Sequence, residues 1–256
     1  MFVSSTGRPP FRPGATGPGG GRESLALLAE RTRPVSSSQI RLLPVAPPLV
    51  GLFPDGSLRR GSTVVVTGLA AASGPAGPAD GGISVALALL AAASGSGYWG
   101  AVVGVAGLGA VAAHDMGIDL GRLAVVPRPD AAWAEVTAAL IDGVDLVVLC
   151  PPFPPRPAMA RRLAARARDR RSVLVVAGRY AWPEPPDVRL SVDDMHWDGV
   201  GTGEGYLRRR QMTVTATGRR SSVRPRHHHL WLPSATGAVA DVDAGVLPTA
   251  DPVVTG

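Results

Sequence analysis

Gly68 and Gly82 frame the one stretch of this chain whose residue types could hold a phosphate. A β-branched run, Thr63 to Thr67, stops at Gly68, a Gly/Ala/Pro-rich loop follows, and Gly81-Gly82-Ile83-Ser84 opens an apolar helix. In such a loop the backbone N–H groups cradle phosphate oxygens, a lysine reaches the β- and γ-phosphates, and a hydroxyl touches magnesium. Only the hydroxyl, Ser84, is present. Ile83 stands where the lysine belongs, and the glycines Gly68 and Gly82 are 14 positions apart, too far to wrap a triphosphate tightly. The chain has no lysine to lend from elsewhere, because all 26 basic residues are arginine. The planar arginine fork does not fit that narrow position. These residues predict neither tight ATP binding nor hydrolysis, and no cofactor. Two readings of what remains stay open: turn glycines before a small first-turn serine, or weak anion binding at a helix N-terminus.

Other reactive residue types are few. Cys150, at the end of an apolar run, has no histidine at a triad-like position and reads as a small core residue. His114 beside Asp115 reads as a surface pair. Asp193, Asp194 and His196 form an acidic group that loop solvation explains as well. His227-His228-His229 lacks a neighbouring cysteine, so no structural metal site is expected. Two arginine clusters remain. Arg161 to Arg171 follows a helical pattern and reads as a solvated face. Arg208, Arg209, Arg210, Arg219, Arg220, Arg224 and Arg226 flank a late strand and are candidate contacts for DNA or an acidic partner.

The elements that must position these residues follow from periodicity. The chain has 256 residues and a formal charge of +6, enough for one domain with a full core and basic enough to favour acidic partners. One cysteine excludes an internal disulfide and suits a reducing cytoplasm. Gly81 to Ala113 carries no charge, but Ser94-Gly95-Ser96-Gly97 splits it into pieces too short to span a membrane. A buried helix (83–93) and a buried strand (98–105) are expected there instead. Further strands are expected at 63–67, 123–126, 145–149 and 172–177. Helices are expected at 110–116, from Pro129-Asp130 with Asp130 as N-cap and Trp133, Val136 and Leu140 on one face, and at 158–168. Strands alternating with helices predict an α/β fold, a mostly parallel sheet covered on both faces. Val188–Val192 and Arg210–Thr217 predict a late antiparallel extension, joined by a loop holding Gly199, Gly201, Gly203 and Gly205. Residues 1–21 and 237–256 read as disordered tails, 22–39 as a short helix and linker, and 40–236 as the domain.

This order of elements resembles the RecA-type core. Leu52-Phe53-Pro54-Asp55-Gly56-Ser57-Leu58-Arg59-Arg60-Gly61 is similar to the RecA lead-in to the first core strand. Gly82-Ile83-Ser84-Val85-Ala86-Leu87 sits where that family has glycine, lysine, threonine and an apolar helix. His114-Asp115-Met116-Gly117-Ile118-Asp119-Leu120-Gly121-Arg122-Leu123 resembles the segment entering a later strand. Within that family the chain resembles ImuA-prime, RecA-like accessory proteins of actinobacterial mutagenic repair, also in its Leu230-Trp231-Leu232-Pro233 ending. The resemblance places the family's catalytic glutamate at Val105 and its strand-end aspartate at Cys150. Phosphate neutralisation, the magnesium shell and activation of the attacking water would all be lost.

What the resemblance implies is a non-catalytic RecA-like adaptor in SOS-induced translesion synthesis. Its partners would be an ImuB-like Y-family pseudo-polymerase and, through it, an error-prone polymerase and sliding clamp, with DNA as a further contact and no membrane. Docking candidates are Leu25 and Leu28 near the start and Leu230, Trp231 and Leu232 near the end. The alternatives are a divergent nucleotide-binding RecA-type ATPase or DNA-binding recombination accessory, and a binding module related to cell-division inhibitors.

Overall fold

The computed structural model describes residues 42–69, 81–178, 180–200, 205–218 and 225–242. Two short strands, β1 (Leu42–Leu43) and β2 (Leu58–Arg59), pair antiparallel. They flank a 3-10 segment, Pro47–Leu52, whose Leu49 and Leu52 are buried. The remaining strands form one sheet. They are β3 (Thr63–Thr67), β4 (Gly100–Val103), β5 (Leu123–Val126), β6 (Leu146–Leu149) and β7 (Val173–Ala177). The late ones are β8 (Val188–Val200), β9 (Gly205–Thr217), β10 (Arg226–Trp231) and β11 (Ala240–Asp241). Their order is β11-β10-β9-β8-β3-β7-β6-β4-β5. Every pairing from β8 to β5 is parallel, and those joining β8, β9, β10 and β11 are antiparallel. This is the expected α/β architecture, a RecA-like parallel core with an antiparallel extension.

Side-chain alternation along each strand divides the core in two. Val64 and Val66 of β3 face one layer with Leu146, Val148, Val173 and Val175, and Val65 faces the other with Val147, Leu149, Leu174 and Val176. Helix α1 (Gly82–Gly95) fills the first layer and is apolar on nearly every side, as a helix enclosed by its own protein must be. The uncharged 81–113 stretch is thus a buried helix followed by β4, and no helix among the described residues is long and apolar enough to cross a membrane. A short α2 (Ala110–Asp115) ends at Gly117, whose φ of 100° is open to glycine. On the second layer lie α3 (Trp133–Gly143) and α4 (Pro157–Arg170), seated through Trp133, Ile141, Ala160, Leu163 and Ala167.

The two faces of the sheet part company at β8. Val188, Leu190 and Val192 of β8 and Met212, Val214 and Ala216 of β9 all face the α1 layer. Their alternate residues, Arg189, Ser191, Thr213 and Thr217, face no helix core, so the extension is buried on one side and polar on the other, as antiparallel sheets allow.

Four expectations are corrected. The late strands are each 13 residues rather than five and eight, so most of the expected glycine loop belongs to strand, with Gly199 in β8 and Gly205 in β9. Asp130 does not cap a helix: it sits at φ 45° in a 3-10 turn, Asp130–Ala132, ahead of α3. The buried stripe of α3 is Trp133, Thr137 and Ile141, with Val136 and Leu140 only partly covered. The domain does not stop at 236, since Ala240–Asp241 pairs with Trp231 and Leu230 and the Val242 N–H donates to the His229 carbonyl. The tail at 1–21, the helix with Leu25 and Leu28, and Arg219, Arg220 and Arg224 lie outside the described residues.

Candidate functional site

The C-terminal ends of β4, β6 and β7 and the first turn of α1 surround a cavity of about 990 Å³. Ligands of open α/β sheets bind at this end of the strands. Three of its walls are the positions at which the resemblance expects charge: Ile83 in the first turn of α1, Val105 beyond β4 and Cys150 beyond β6. The rest of the lining is mainly small or apolar, including Leu87, Leu108, Met116 and the prolines Pro151, Pro152 and Pro233, with Ser84, Asp115, Arg208, Ser234 and Thr236 as its polar members. Space for a ligand is present at the expected place, and at those three positions the wall carries no charged side chain.

Two glycines hold the strand ends close. Gly104, at φ 82°, passes so near the Cys150 carbonyl that a Cβ there would collide with it, and a Cβ on Gly178 would lie 2.9 Å from the Cys150 sulfur. The Cys150 N–H donates to the Val103 carbonyl at 2.8 Å. Cys150 is thus a small side chain wedged between two neighbouring strand ends, in keeping with its reading as a packing residue. Gly237 closes against Asp115 from the C-terminal side, leaving no room for a Cβ.

Ser84 is engaged by the protein itself. Arg210, projecting from β9 and 4% exposed, donates from Nη2 to Ser84 Oγ at 2.7 Å and from Nε to the Leu232 carbonyl at 2.8 Å. Its guanidinium also lies 5.0 Å from the centre of the Trp197 ring. The hydroxyl that the resemblance sets at a magnesium contact therefore accepts from a fixed internal cation. Sequence reasoning missed this because a buried arginine breaks the apolar alternation of β9; its partner at the Ser84 position is 126 residues away.

The other candidate arginines divide by role. Arg209 is held by Asp198 at 2.7 Å and lies 4.1 Å over the Trp231 ring; that hydrogen bond keeps the Asp198 carboxyl below its ordinary pKa. Arg226 donates to the carbonyls of Phe53 at 3.0 Å and Gly51 at 3.3 Å, tying β10 to the 3-10 segment. Arg208 is exposed, stacks 5.0 Å from the Tyr206 ring and contributes to the cavity wall. Arg210 and Arg226 thus serve the fold, and the burial of Arg210 removes it from the surface on which DNA could be met.

The α4 arginines behave as a solvated face. Arg166 reaches Asp142 of α3 at 2.7 and 2.5 Å and Arg170 reaches it at 3.1 Å, and the Arg166 hydrogen bond lowers the Asp142 pKa. His227 and His229 pair with Thr215 and Thr213 across the sheet, at 2.6 and 3.1 Å. Asp193 bonds Ser191 and Thr215. Among the described residues no group of three His, Cys, Asp or Glu could hold a metal. His114 and Asp115 are an exposed pair 3.6 Å apart.

The docking candidates at 230–232 also separate. Leu230 and Leu232 are fully buried in the α1 layer, which removes them from any partner-facing surface. Trp231 points to the other face, half-buried under Arg209.

Residues 51–184, more than half of the chain, match the family model described as MT3502 N-terminal domain. The chain belongs to this family. Its matched region holds β3, α1, Val105 and Cys150, hence most of the cavity wall, whereas the β8–β9 hairpin lies beyond it. The chain is also similar to the Uncharacterized protein Rv3395c of Mycobacterium tuberculosis (strain ATCC 25618 / H37Rv), with 36% identity over 147 residues. That alignment spans 57% of the chain and 65% of the relative, just under two thirds of its length. Neither name states an activity.

Proposed function

We propose that this chain is a nucleotide-independent RecA-like adaptor of the ImuA-prime type, acting in the cytoplasm in SOS-induced translesion synthesis. It would hold an ImuB-like pseudo-polymerase and, through it, an error-prone polymerase and sliding clamp. The observation that carries the non-catalytic part is the cavity wall: Ile83, Val105 and Cys150 stand together at the strand ends. A triphosphate there would meet uncharged side chains at these three positions, with Arg208 the one cation of the described wall, at a cost of several kcal/mol for each charge left uncompensated. The partner assignment rests on the resemblance of the sequence.

Recovery of the tagged full chain from DNA-damaged cells tests the partner assignment. Co-purification of a Y-family-like protein with an error-prone polymerase supports the adaptor. Calorimetry with ATP tests the rest, and micromolar binding with measurable turnover would defeat it. A second reading, a divergent nucleotide-binding protein, draws on the cavity of about 990 Å³ that persists beside the first turn of α1. Nucleotide retained through purification, with no polymerase partner recovered, would favour that reading.

A further inference from the structure

Five of the seven residues 151–157 are proline, in the order Pro151-Pro152-Phe153-Pro154-Pro155-Arg156-Pro157. They join β6 to α4 outside the sheet. Three of the prolines have a use in the fold: Pro151 and Pro152 stand in the cavity wall, and Pro157 opens α4, where a missing N–H costs nothing. Phe153 has no such use. It is 52% exposed and packs in neither core layer, and Pro154 beside it is exposed as well. Arg156 is a third exposed member of the segment. Arg161 and Arg166 of α4 are paired with Glu184 and Asp142, whereas Arg156 meets no carboxylate among the described residues.

The prolines dictate how these side chains are presented. The ring of Pro154 sets its φ at about −65°, and the proline after it drives its ψ into the extended region. Phe153 and Arg156 each precede a proline and are pushed the same way. Arg156 stands at φ −73° and ψ 143°, the dihedrals of a polyproline II helix. After a bend at Pro152 and Phe153, the chain runs through Pro154, Pro155 and Arg156 into α4 with no further bend or turn. A polyproline II helix repeats about every three residues, so Phe153 and Arg156 share one edge and Pro154 and Pro157 the next. Pro155 occupies the third edge. Burial follows that period, because Pro155 is buried and the residues on the other two edges are all exposed.

We infer that residues 153–157 form a polyproline ligand that docks into the aromatic-lined groove of a partner protein domain, with a carboxylate beside that groove meeting Arg156. Aromatic grooves read this conformation because the ligand arrives already ordered and loses little entropy on binding. Two residue–proline pairs, Phe153-Pro154 and Arg156-Pro157, face outward one helical turn apart. The first supplies a ring and a proline to fill the groove, as a buried aromatic anchor does at an interface. The second carries a guanidinium without an internal partner, and charge complementarity of this kind selects an acidic rim. An acidic surface without a groove would take Arg156 and leave Phe153 in water. This role goes beyond the adaptor reading and draws on none of its polymerase partners, so failure of either leaves the other standing.

The test is a titration of three isolated proline-reading domains, an SH3, a WW and an EVH1 domain, with the purified full chain. Each domain is isotope-labelled for NMR, so its amide and indole signals report which of its surfaces is covered. Binding in the aromatic groove of at least one domain is expected. Phe153→Ala should weaken it about tenfold, as loss of an interface anchor does, and Phe153→Tyr should retain it. Arg156→Gln should weaken it about threefold, the scale of an exposed ion pair. Both side chains are exposed, so the urea midpoints of the variants should match the parent chain, which separates loss of contact from loss of fold. The assignment is overturned if no groove signal moves with any domain, if the shifts lie outside the groove, or if Phe153→Ala binds as the parent does.

Discussion

Arg210 Nη2 stands 2.7 Å from Ser84 Oγ, so that a residue of the antiparallel extension holds the first turn of the α1 helix. The same guanidinium holds the Leu232 carbonyl, and the Arg210 backbone pairs with Leu232 and Pro233. One side chain thereby connects the start of α1, the β9 strand and the segment after β10. In the RecA-type arrangement that the sequence resembles, this hydroxyl would meet a magnesium ion, which arrives and leaves with its nucleotide. A covalently attached cation does neither.

Arg210→Met is expected to destabilise the chain by about 2–4 kcal/mol, because it leaves the Leu232 carbonyl without its side-chain donor and removes a charge-assisted bond from Ser84. Ser84→Ala should cost less, about 1–2 kcal/mol, since the guanidinium keeps its carbonyl and its place over Trp197. The urea midpoints of the two variants against the parent chain measure this order, and equal midpoints would contradict it.

Ile83→Lys alone should not create an ATPase. It would restore one charge at the cavity wall while Val105 and Cys150 still line the places for the water-activating and metal-holding groups. Phosphate release from ATP, followed for the parent and the variant under the same conditions, should be indistinguishable from the protein-free rate in both.

Gly104→Ala should be among the most damaging single changes, costing about 3 kcal/mol or more. The backbone there lies at φ 82°, and the added methyl would meet the Cys150 carbonyl. Gly143→Ala, where a Cβ would find open space at the end of α3, serves as its comparison and should cost little. Thermal midpoints of the two variants give the contrast.

Stability should decline on the acid side, in part through Asp142. Its pKa is lowered, first by the hydrogen bond from Arg166 and then by the charges of Arg166 and Arg170. A carboxylate whose folded pKa lies below its unfolded one contributes stability above the unfolded value and loses it as pH falls through the folded value. The difference in urea midpoint between the parent and Asp142→Asn should therefore be constant from about pH 7 to 5 and shrink below about pH 4. A difference that grows on acidification would show the sign to be wrong. The pair is exposed, so the effect is small.

Leu230→Ala and Leu232→Ala should each cost about 2–5 kcal/mol, as large-to-small changes in a packed layer do. Both are fully buried, while Trp231 lies on the opposite face. Trp231→Ala should cost less than either, read again from urea midpoints.

How far the sequence carried can be judged from particular segments. Leu123–Val126 was legible to the residue, and Thr63–Thr67 likewise, because β-branched and apolar runs bounded by glycine or charge admit few other readings. The uncharged helix α1 was legible because a helix apolar on every side has nowhere to go but inside. The hairpin was underestimated for the opposite reason. Val188–Val192 alternates cleanly, but Asp193, Asp194, His196 and Asp198 then read as loop, although they lie on the uncovered face of a continuing strand. At the cavity, the replaced positions Ile83, Val105 and Cys150 were nameable from motif alignment alone. Their convergence on one void, and the arginine reaching Ser84 from 126 residues away on β9, depend on packing between distant segments, which no local pattern encodes.

The position of β3 in the sheet has a further consequence, for the order in which the chain can fold. Its two neighbours are β7 and β8, and the Thr63 N–H is satisfied by Asp187, 124 residues further on. A ribosome emitting this protein releases β3 more than 100 residues before either strand that pairs with it. The first core strand must wait for the last parallel ones, and loop closures of this length slow folding. During that interval Val64, Val65 and Val66 are unpaired and apolar, which makes the nascent chain a client for whatever holds hydrophobic segments apart.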